Sequence, residues 1–131
     1  MSVVFRHDHD VDLERLAALF RSVGWGERGG DVASLARVIA GSRWVVSAWD
    51  RGTLVGFARA ISDGVTTAYV TDVVVAETYR RRGVATGLMR ELLDGRDTIQ
   101  FVLRADPGLH PFYHRLGFGE PDRVLRRPRR R

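Results

Sequence analysis

The sequence predicts a single α/β domain, built as a mixed, mostly antiparallel sheet with helices on both faces. Segments rich in β-branched residues alternate along the chain with segments whose apolar residues recur at helical spacing. Tight turns at 50–52 and 62–64 join three consecutive strands into an antiparallel meander. A strand, a crossover helix and another strand follow, and such a unit makes its two strands parallel. The chain has 131 residues, enough to bury one core, so we expect one domain over 1–131.

The first half of the chain is predicted as a strand, two helices and the three-stranded meander. Asp8 or Asp10 can cap the first helix, and Asp31 can cap the second, because a carboxylate accepts hydrogen bonds from the free N–H groups of a first turn. Gly41 ends the second helix. The first strand is expected at 3–6. The first helix begins after Asp8 or Asp10 and has its apolar positions from Leu13 to Phe20 or Val23, and the second lies between Asp31 and Gly41. The meander is expected at 43–49, 53–61 and 65–75.

The second half alternates helix and strand. A helix is expected from about Arg82 to Leu93, where Asp94 and Gly95 end it. Pro107 favours the start of a later helix, because proline suits the first helical position. The expected bounds are 98–103 for the strand parallel to 65–75, 106–116 for the last helix, and 118–125 for a return strand.

Composition narrows the classes of function. The chain contains no cysteine, which excludes disulfides, thiolate metal sites and a cysteine nucleophile. All 21 basic residues are arginine, and the formal charge of +5 equals the charge of the five arginines within 126–131. We interpret these residues as a flexible, solvated tail, with contact to nucleic acid or an acidic partner as the alternative. No stretch approaches the roughly 20 apolar residues of a membrane span, so a cytoplasmic protein is expected.

The candidate ligand-binding stretch is 73–89, where an apolar strand ends, three arginines follow at 80–82, and a helix begins. A helix N-terminus exposes unpaired N–H groups and about half a positive charge, which suits an anionic, phosphate-bearing ligand. Small residues at Gly83, Ala85 and Gly87 would let the backbone of the loop approach such a ligand closely. A solvated arginine cluster before an ordinary helix is the alternative.

Two motifs carry a resemblance to a known family. A P-loop requires a lysine, which the chain lacks, and a dinucleotide fingerprint requires glycine where Arg81 stands. The pattern that is left, R-x-x-G-x-A from Arg80 through Gly83 to Ala85, resembles the acetyl-CoA pyrophosphate loop of the GNAT family of N-acetyltransferases. The pattern F-Y-x-x-x-G-F at 112–118 is common in the same family, and the predicted element order is similar to that family along the whole chain.

A closer likeness is to bacterial GNAT proteins related to the plant plastid type of serotonin (arylalkylamine) N-acetyltransferase. The chain departs from that branch at two places. Thr71 stands where the branch has a tryptophan before Asp72, and Arg104 stands near a phenylalanine of the branch, so the substrate pocket is expected to differ. The matching segments are V-G-W at 23–25, L-V-G-F-A-R-A-I-S-D at 54–63, D-V-V-V at 72–75 and L-R-A-D at 103–106.

The resemblance implies where acetyl-CoA would bind. In the family, the strand before the loop splays away from its central parallel neighbour, and acetyl-pantetheine lies in the gap as if it were an extra strand. Backbone N–H groups of the loop hold the pyrophosphate, and neighbouring arginines add charge. Carried over, these roles fall on Val73, Val74, Val75, Arg80, Arg81, Arg82, Gly83, Val84, Ala85 and Thr86.

The resemblance also implies a general acid, and the residues suggest a base. Tyr113 lies on the helix that runs beside the CoA sulfur in the family, and a tyrosine with a pKa near 10 can protonate a leaving thiolate; a packing tyrosine is the alternative. Asp72, inside an apolar strand, is the first candidate to accept the amine proton. Strict alternation would place its side chain on the face of Val70 and Val74. Asp106 is the second candidate, with a helix-capping role as its alternative.

These features together predict an acetyl-CoA-dependent N-acetyltransferase that transfers acetyl directly to an amine in a ternary complex. The amine is expected to be a small primary amine, arylalkylamine-like or polyamine-like, and Trp25 either lines its cleft or fills the joint between two helices. A homodimer is expected, and no metal. The alternatives are a non-catalytic acyl-CoA-binding or sensing module, an acetyltransferase acting on protein amines, and an interaction domain that binds through the arginine tail.

Overall fold

The computed structural model describes residues 2–26, 31–120 and 123–130. Two single-turn 3-10 helices cover Glu77–Tyr79 and Pro107–Leu109. The elements in chain order are β1 Val3–Arg6, α1 Leu13–Ser22, α2 Val32–Ala40, β2 Trp44–Asp50, β3 Thr53–Ser62, β4 Thr67–Val75, α3 Val84–Leu93, β5 Gln100–Leu103 and α4 His110–Arg115.

The strands form one five-stranded sheet in the order β1-β2-β3-β4-β5. The first three pairings are antiparallel, and β4 pairs with β5 in parallel, as a strand–helix–strand unit requires. The predicted mixed, mostly antiparallel sheet is therefore confirmed.

Helices cover both faces of the sheet. One core contains Leu88 and Met89 of α3 together with Tyr113 of α4, and the other contains Leu16 and Phe20 of α1 together with α2. The side chains of β3 point alternately into one core and the other, so the sheet separates the two cores. Within the described residues, no helix is long and apolar enough to cross a membrane.

The helix caps correct one detail of the prediction. Asp12, rather than Asp8 or Asp10, caps α1, because its side chain accepts a hydrogen bond from the N–H of Arg15 at 3.1 Å. The Asp8 side chain instead accepts the Asp10 N–H at 3.0 Å, in the turn before the helix. Asp31 caps α2 as predicted.

A β-bulge in β4 overturns the expected alternation around Asp72. Arg59 pairs with Thr71 and Phe57 with Val74, so two residues of β4, Asp72 and Val73, stand opposite one residue of β3. The extra residue shifts the parity of the strand. Val70 consequently packs in the core under α3, whereas Val74 packs in the core under α1 and α2.

The predicted return strand at 118–125 is wrong for its described part, since 118–120 and 123–125 form no strand. The chain turns sharply at Gly117, which has a φ of 95°, and the Phe118 N–H donates to the Tyr113 carbonyl at 3.1 Å. The Phe118 ring then packs against Tyr113, with centroids 5.8 Å apart. Burial of this aromatic ring holds the segment against α4 instead of beside β5.

Candidate active site

The entrance of α3 leaves backbone N–H groups without a side-chain cap. Gly83 precedes the helix with a φ of 83°, a left-handed conformation that glycine adopts without steric cost, and no side chain caps the helix there. The first intrahelical hydrogen bond runs from the Gly87 N–H to the Gly83 carbonyl at 2.9 Å. The N–H groups of Val84, Ala85 and Thr86 therefore belong to the open first turn.

Exposed arginines surround this entrance. Arg80 donates from Nε to the Val75 carbonyl at 3.3 Å, which ties it to the end of β4. The Arg82 guanidinium lies 5.6 Å from the centre of the Tyr79 ring. Arg81 has a φ of 63°, so the backbone turns immediately before the helix. These contacts orient positive charge next to the free N–H groups.

Gly87 serves helix packing rather than a ligand. A Cβ added there would lie 2.2 Å from Cζ of Phe5, so the ring of β1 fills the space that a side chain would need. The expectation that the small size of Gly87 leaves room for a ligand is therefore wrong, whereas around Gly83 no atom lies within 4 Å of an added Cβ.

A cleft opens where the parallel pair of strands separates. The pairing of β4 with β5 ends at Val70 and Leu103, and β4 continues to Val75 without its parallel neighbour. The cleft has a volume of about 710 Å³. Tyr113, Asp72, Asp106 and Trp25 all line this cleft.

Tyr113 lies on α4 between its aromatic neighbours. The residue is 8% exposed, and the Phe112 and Phe118 rings pack edge-on against the Tyr113 ring, with centroids 4.9 and 5.8 Å away. Burial raises the pKa of the Tyr113 hydroxyl, because the phenolate would lose its hydration. The hydroxyl therefore keeps its proton at neutral pH and is able to donate it.

Asp72 forms a buried ion pair. Its Oδ2 accepts from Arg59 Nε at 2.6 Å, and both side chains are almost fully buried. Arg59 also donates from Nη1 to Ser42 Oγ at 3.3 Å, which connects the pair to the end of α2. The charge of Asp72 is thus neutralised inside the protein, next to the cleft it lines.

Asp106 is the more accessible carboxylate. It is exposed at the cleft, directly after β5. Its side chain caps no backbone N–H of the 3-10 turn that follows, although its carbonyl accepts from Leu109 N–H at 2.8 Å. The carboxylate of Asp106 therefore does not cap the following turn, which was the alternative role that the sequence allowed.

Trp25 combines the two roles that the sequence left open. Its ring packs on Phe20 of α1, with centroids 5.7 Å apart, and the residue also lines the cleft. Three residues that sequence reasoning missed contribute to the site: Tyr69 and Leu109 line the cleft, and Arg59 holds Asp72. The sequence did contain a signal for Arg59, because Asp72 is a lone charge inside an apolar strand and therefore requires a buried partner.

Comparison with known proteins identifies the family. The model of the acetyltransferase (GNAT) family matches residues 11–118, and the chain belongs to this family. A ycf52-like N-acetyltransferase of uncharacterised role from Prochlorococcus marinus is 32% identical over 88% of the chain and 67% of the relative. Serotonin N-acetyltransferase 2 (chloroplastic) from Oryza sativa is 33% identical over 92% of the chain and 64% of the relative. Histone acetyltransferase TAP1 from Glycine max is 32% identical, over 88% and 55%. The chain thus spans about two thirds or less of the length of these relatives.

Solved structures share the fold over the full chain. A GNAT-family acetyltransferase from Streptococcus pneumoniae matches with a TM-score of 0.81 and 23% identity, over 99% of this chain and 100% of its own. An aminoglycoside N-acetyltransferase, AAC(6')-Iy, solved in complex with CoA, matches with a TM-score of 0.74 and 19% identity, over 98% and 95%. At these identities the likeness establishes the fold.

Proposed function

We propose that the chain is an acetyl-CoA-dependent N-acetyltransferase that moves acetyl directly to a primary amine of a small molecule in a ternary complex. The observation that carries the proposal is that Tyr113, Asp72 and Asp106 line one cleft at the end of the parallel strand pair. Membership of the GNAT family and the serotonin N-acetyltransferase among the relatives support it.

The acetyl-CoA site in this proposal extends from β4 to α3. The backbone edge of Val73, Val74 and Val75, beyond the last pairing with β5, offers hydrogen bonds to an extended pantetheine arm. The pyrophosphate would then meet the open N–H groups of the first turn, Val84 to Thr86, with Arg80 and Arg82 beside it. A solved structure of the same fold contains CoA, which supports CoA as the carrier of the acetyl group.

We assign the two proton transfers of the reaction to two side chains of the cleft. The amine nitrogen forms a bond to the acetyl carbon, the carbon–sulfur bond breaks, and the departing thiolate takes its proton from Tyr113. The proton that the amine loses goes to a carboxylate, directly or through water. We assign this role first to Asp106, because it is exposed and caps no backbone group, whereas Asp72 is already engaged by Arg59.

The lining of the cleft favours a cationic amine with an apolar body. Tyr69, Trp25 and Leu109 supply aromatic and aliphatic surface, and the two carboxylates supply negative charge. An arylalkylamine combines these features, and a polyamine satisfies the charge alone. An amine of a protein is the second candidate, favoured by the histone acetyltransferase among the relatives.

We also keep the homodimer as a prediction, to be checked by light scattering.

The test is acetyl-CoA-dependent release of thiol, followed with a thiol dye over arylalkylamines, polyamines, aminoglycosides and lysine peptides. Because the chain has no cysteine, the dye reports only free CoA. Turnover is expected with the arylalkylamines, and Tyr113→Phe should lower kcat by about 10²–10⁴-fold. Tyr79→Phe, at a tyrosine outside the cleft, is the matched control: it keeps the ring that Arg82 contacts and should leave kcat close to wild type.

Comparing the kcat values of Asp106→Asn and Asp72→Asn identifies which carboxylate acts as the general base. A larger loss of kcat in Asp106→Asn supports the assignment, and a larger loss in a folded Asp72→Asn protein transfers the role to Asp72. Turnover with lysine peptides alone would replace the small-molecule proposal by acetylation of protein amines. Binding of acetyl-CoA without turnover of any amine would refute the proposed acetyltransferase activity and favour an acyl-CoA sensing module.

A further inference from the structure

Two histidines and a glutamate meet on the solvent side of α4. His110 and His114 are four residues apart and therefore lie on the same face of the helix. The chain then folds back so that Glu120 reaches both rings. Its Oε1 lies 3.0 Å from Nδ1 of His110 and 3.2 Å from Nε2 of His114, and the three donor atoms all lie within 4.8 Å of one another.

The distances between these donor atoms are compatible with a metal centre. Zinc binds histidine nitrogen and carboxylate oxygen at about 2.0–2.2 Å, and a tetrahedron of that size separates its donors by roughly 3.3 Å. The two nitrogen–oxygen distances of 3.0 and 3.2 Å fall close to this value. A small movement of the exposed Glu120 side chain would therefore open room for an ion without moving the helix.

The second nitrogen of His110 supports the same conclusion. Its Nε2 lies 3.2 Å from the Ala105 carbonyl, which can only accept a hydrogen bond. This contact places a proton on Nε2. Nδ1 faces the Glu120 carboxylate, which also only accepts, so a metal ion would take the place of the proton that Nδ1 donates to it. Metal-binding histidines commonly donate their other N–H to a backbone carbonyl in this way, which fixes the ring and its tautomer.

We propose that His110, His114 and Glu120 form a binding site for a divalent transition metal of the zinc class. Imidazole ligands favour this class over Mg²⁺ and Ca²⁺, which prefer oxygen. Three protein ligands leave a fourth position for water. This site lies outside the chemistry proposed for the cleft, and the proposal does not depend on the acetyl acceptor.

The bound metal would link α4 to the segment that follows it. Glu120 is the ligand beyond the turn at Gly117, so the ion would tie the segment 117–120 to the helix that carries Tyr113. A ligand that binds the folded state alone stabilises it in proportion to the logarithm of its concentration over Kd. Zinc is therefore expected to raise the melting temperature of the chain.

The experiment is a calorimetric titration of the full chain, freed of any histidine tag, with Zn²⁺ in a non-chelating buffer. We expect one ion per chain. His114→Ala and Glu120→Gln should each weaken binding at least about tenfold and remove the zinc-dependent rise in melting temperature. Both residues are exposed, so the melting temperature without zinc checks that each variant is folded.

The chain supplies its own matched control. His7 lies 2.7 Å from Glu91, a single histidine–carboxylate pair without a third donor among the described residues. His7→Ala and His9→Ala, which alter the two histidines outside the site, should leave the affinity unchanged. Loss of zinc binding in these variants, equal affinity in wild type and His114→Ala, or a wild-type Kd weaker than millimolar would overturn the proposal and leave a hydrogen-bonded cluster.

Discussion

At the scale of single residues, Asp72 marks where the sheet opens. It has a φ of 57° in the middle of β4, a left-handed conformation that costs free energy for a residue other than glycine. The 2.6 Å contact with Arg59 holds its side chain, and the bulge that contains Asp72 lies just beyond the last pair of β4 with β5. We infer that this ion pair stabilises the conformation that keeps the two parallel strands apart.

Breaking this pair is expected to destabilise the fold. Asp72→Asn and Arg59→Met should each lower the free energy of unfolding by about 3–5 kcal/mol, because each leaves an uncompensated buried charge. Unfolding in urea measures the loss. Asp12→Asn makes the same chemical change beside the exposed Arg15 and preserves the helix cap, so it should cost less than about 1 kcal/mol. Equal losses in Asp72→Asn and Asp12→Asn would contradict the prediction.

At the scale of elements, the sequence predicted what depends on local signals. Turns and apolar periods placed the α-helices and strands of the described residues to within a few residues, although the cap of α1 was predicted at the wrong aspartate. The motifs located the entrance of α3, Tyr113 and Asp106 in the sequence. The bulge at Asp72 was not predictable, because it depends on the register between two strands. The proximity of Glu120 to the histidines of α4 likewise depends on a fold-back after Gly117, where a strand was expected.

The turn between β3 and β4 gives a prediction about acid. Asp63 Oδ1 accepts from the N–H groups of Val65 and Thr66 at 2.8 Å, and Oδ2 accepts from the Thr66 hydroxyl. These hydrogen bonds, the hydroxyl first, hold the pKa of Asp63 far below its usual value. A depressed pKa stabilises the fold above the unfolded value near 3.9, and the contribution is lost as pH falls towards the folded pKa.

The melting temperature of the wild type should therefore fall more steeply below about pH 4 than that of Asp63→Asn. Asparagine still offers an acceptor oxygen but does not titrate, so the difference between the two proteins should be largest at neutral pH and shrink in acid. Thermal melts followed by circular dichroism from pH 7 to pH 2 measure this. Parallel curves for the two proteins would show that the turn carboxylate does not contribute.

At the scale of the whole molecule, charge is distributed unevenly. The chain has 21 basic and 16 acidic residues, a net charge of +5, and the five arginines within 126–131 account for all of it. The rest of the chain is formally neutral. Its positive charge at 80–82 therefore acts locally, at the open end of α3, and not as part of a basic face. A CoA pyrophosphate is expected to respond to these few arginines and not to the net charge.

The local effect of the arginines at 80–82 can be separated from the effect of net charge by removing arginines at two places in the chain. Arg80→Ala and Arg82→Ala should each weaken acetyl-CoA binding several-fold in calorimetry, because each removes a charge beside the N–H groups of the first turn of α3. Deletion of 126–131 removes five positive charges remote in sequence from that turn and should leave the Kd unchanged. Because acetyl-CoA at 100 times its Kd would stabilise the folded state by about 2.7 kcal/mol, melting curves give an independent measure. A larger effect from the tail deletion than from Arg80→Ala would mean that long-range attraction, and not the helix entrance, recruits the anion.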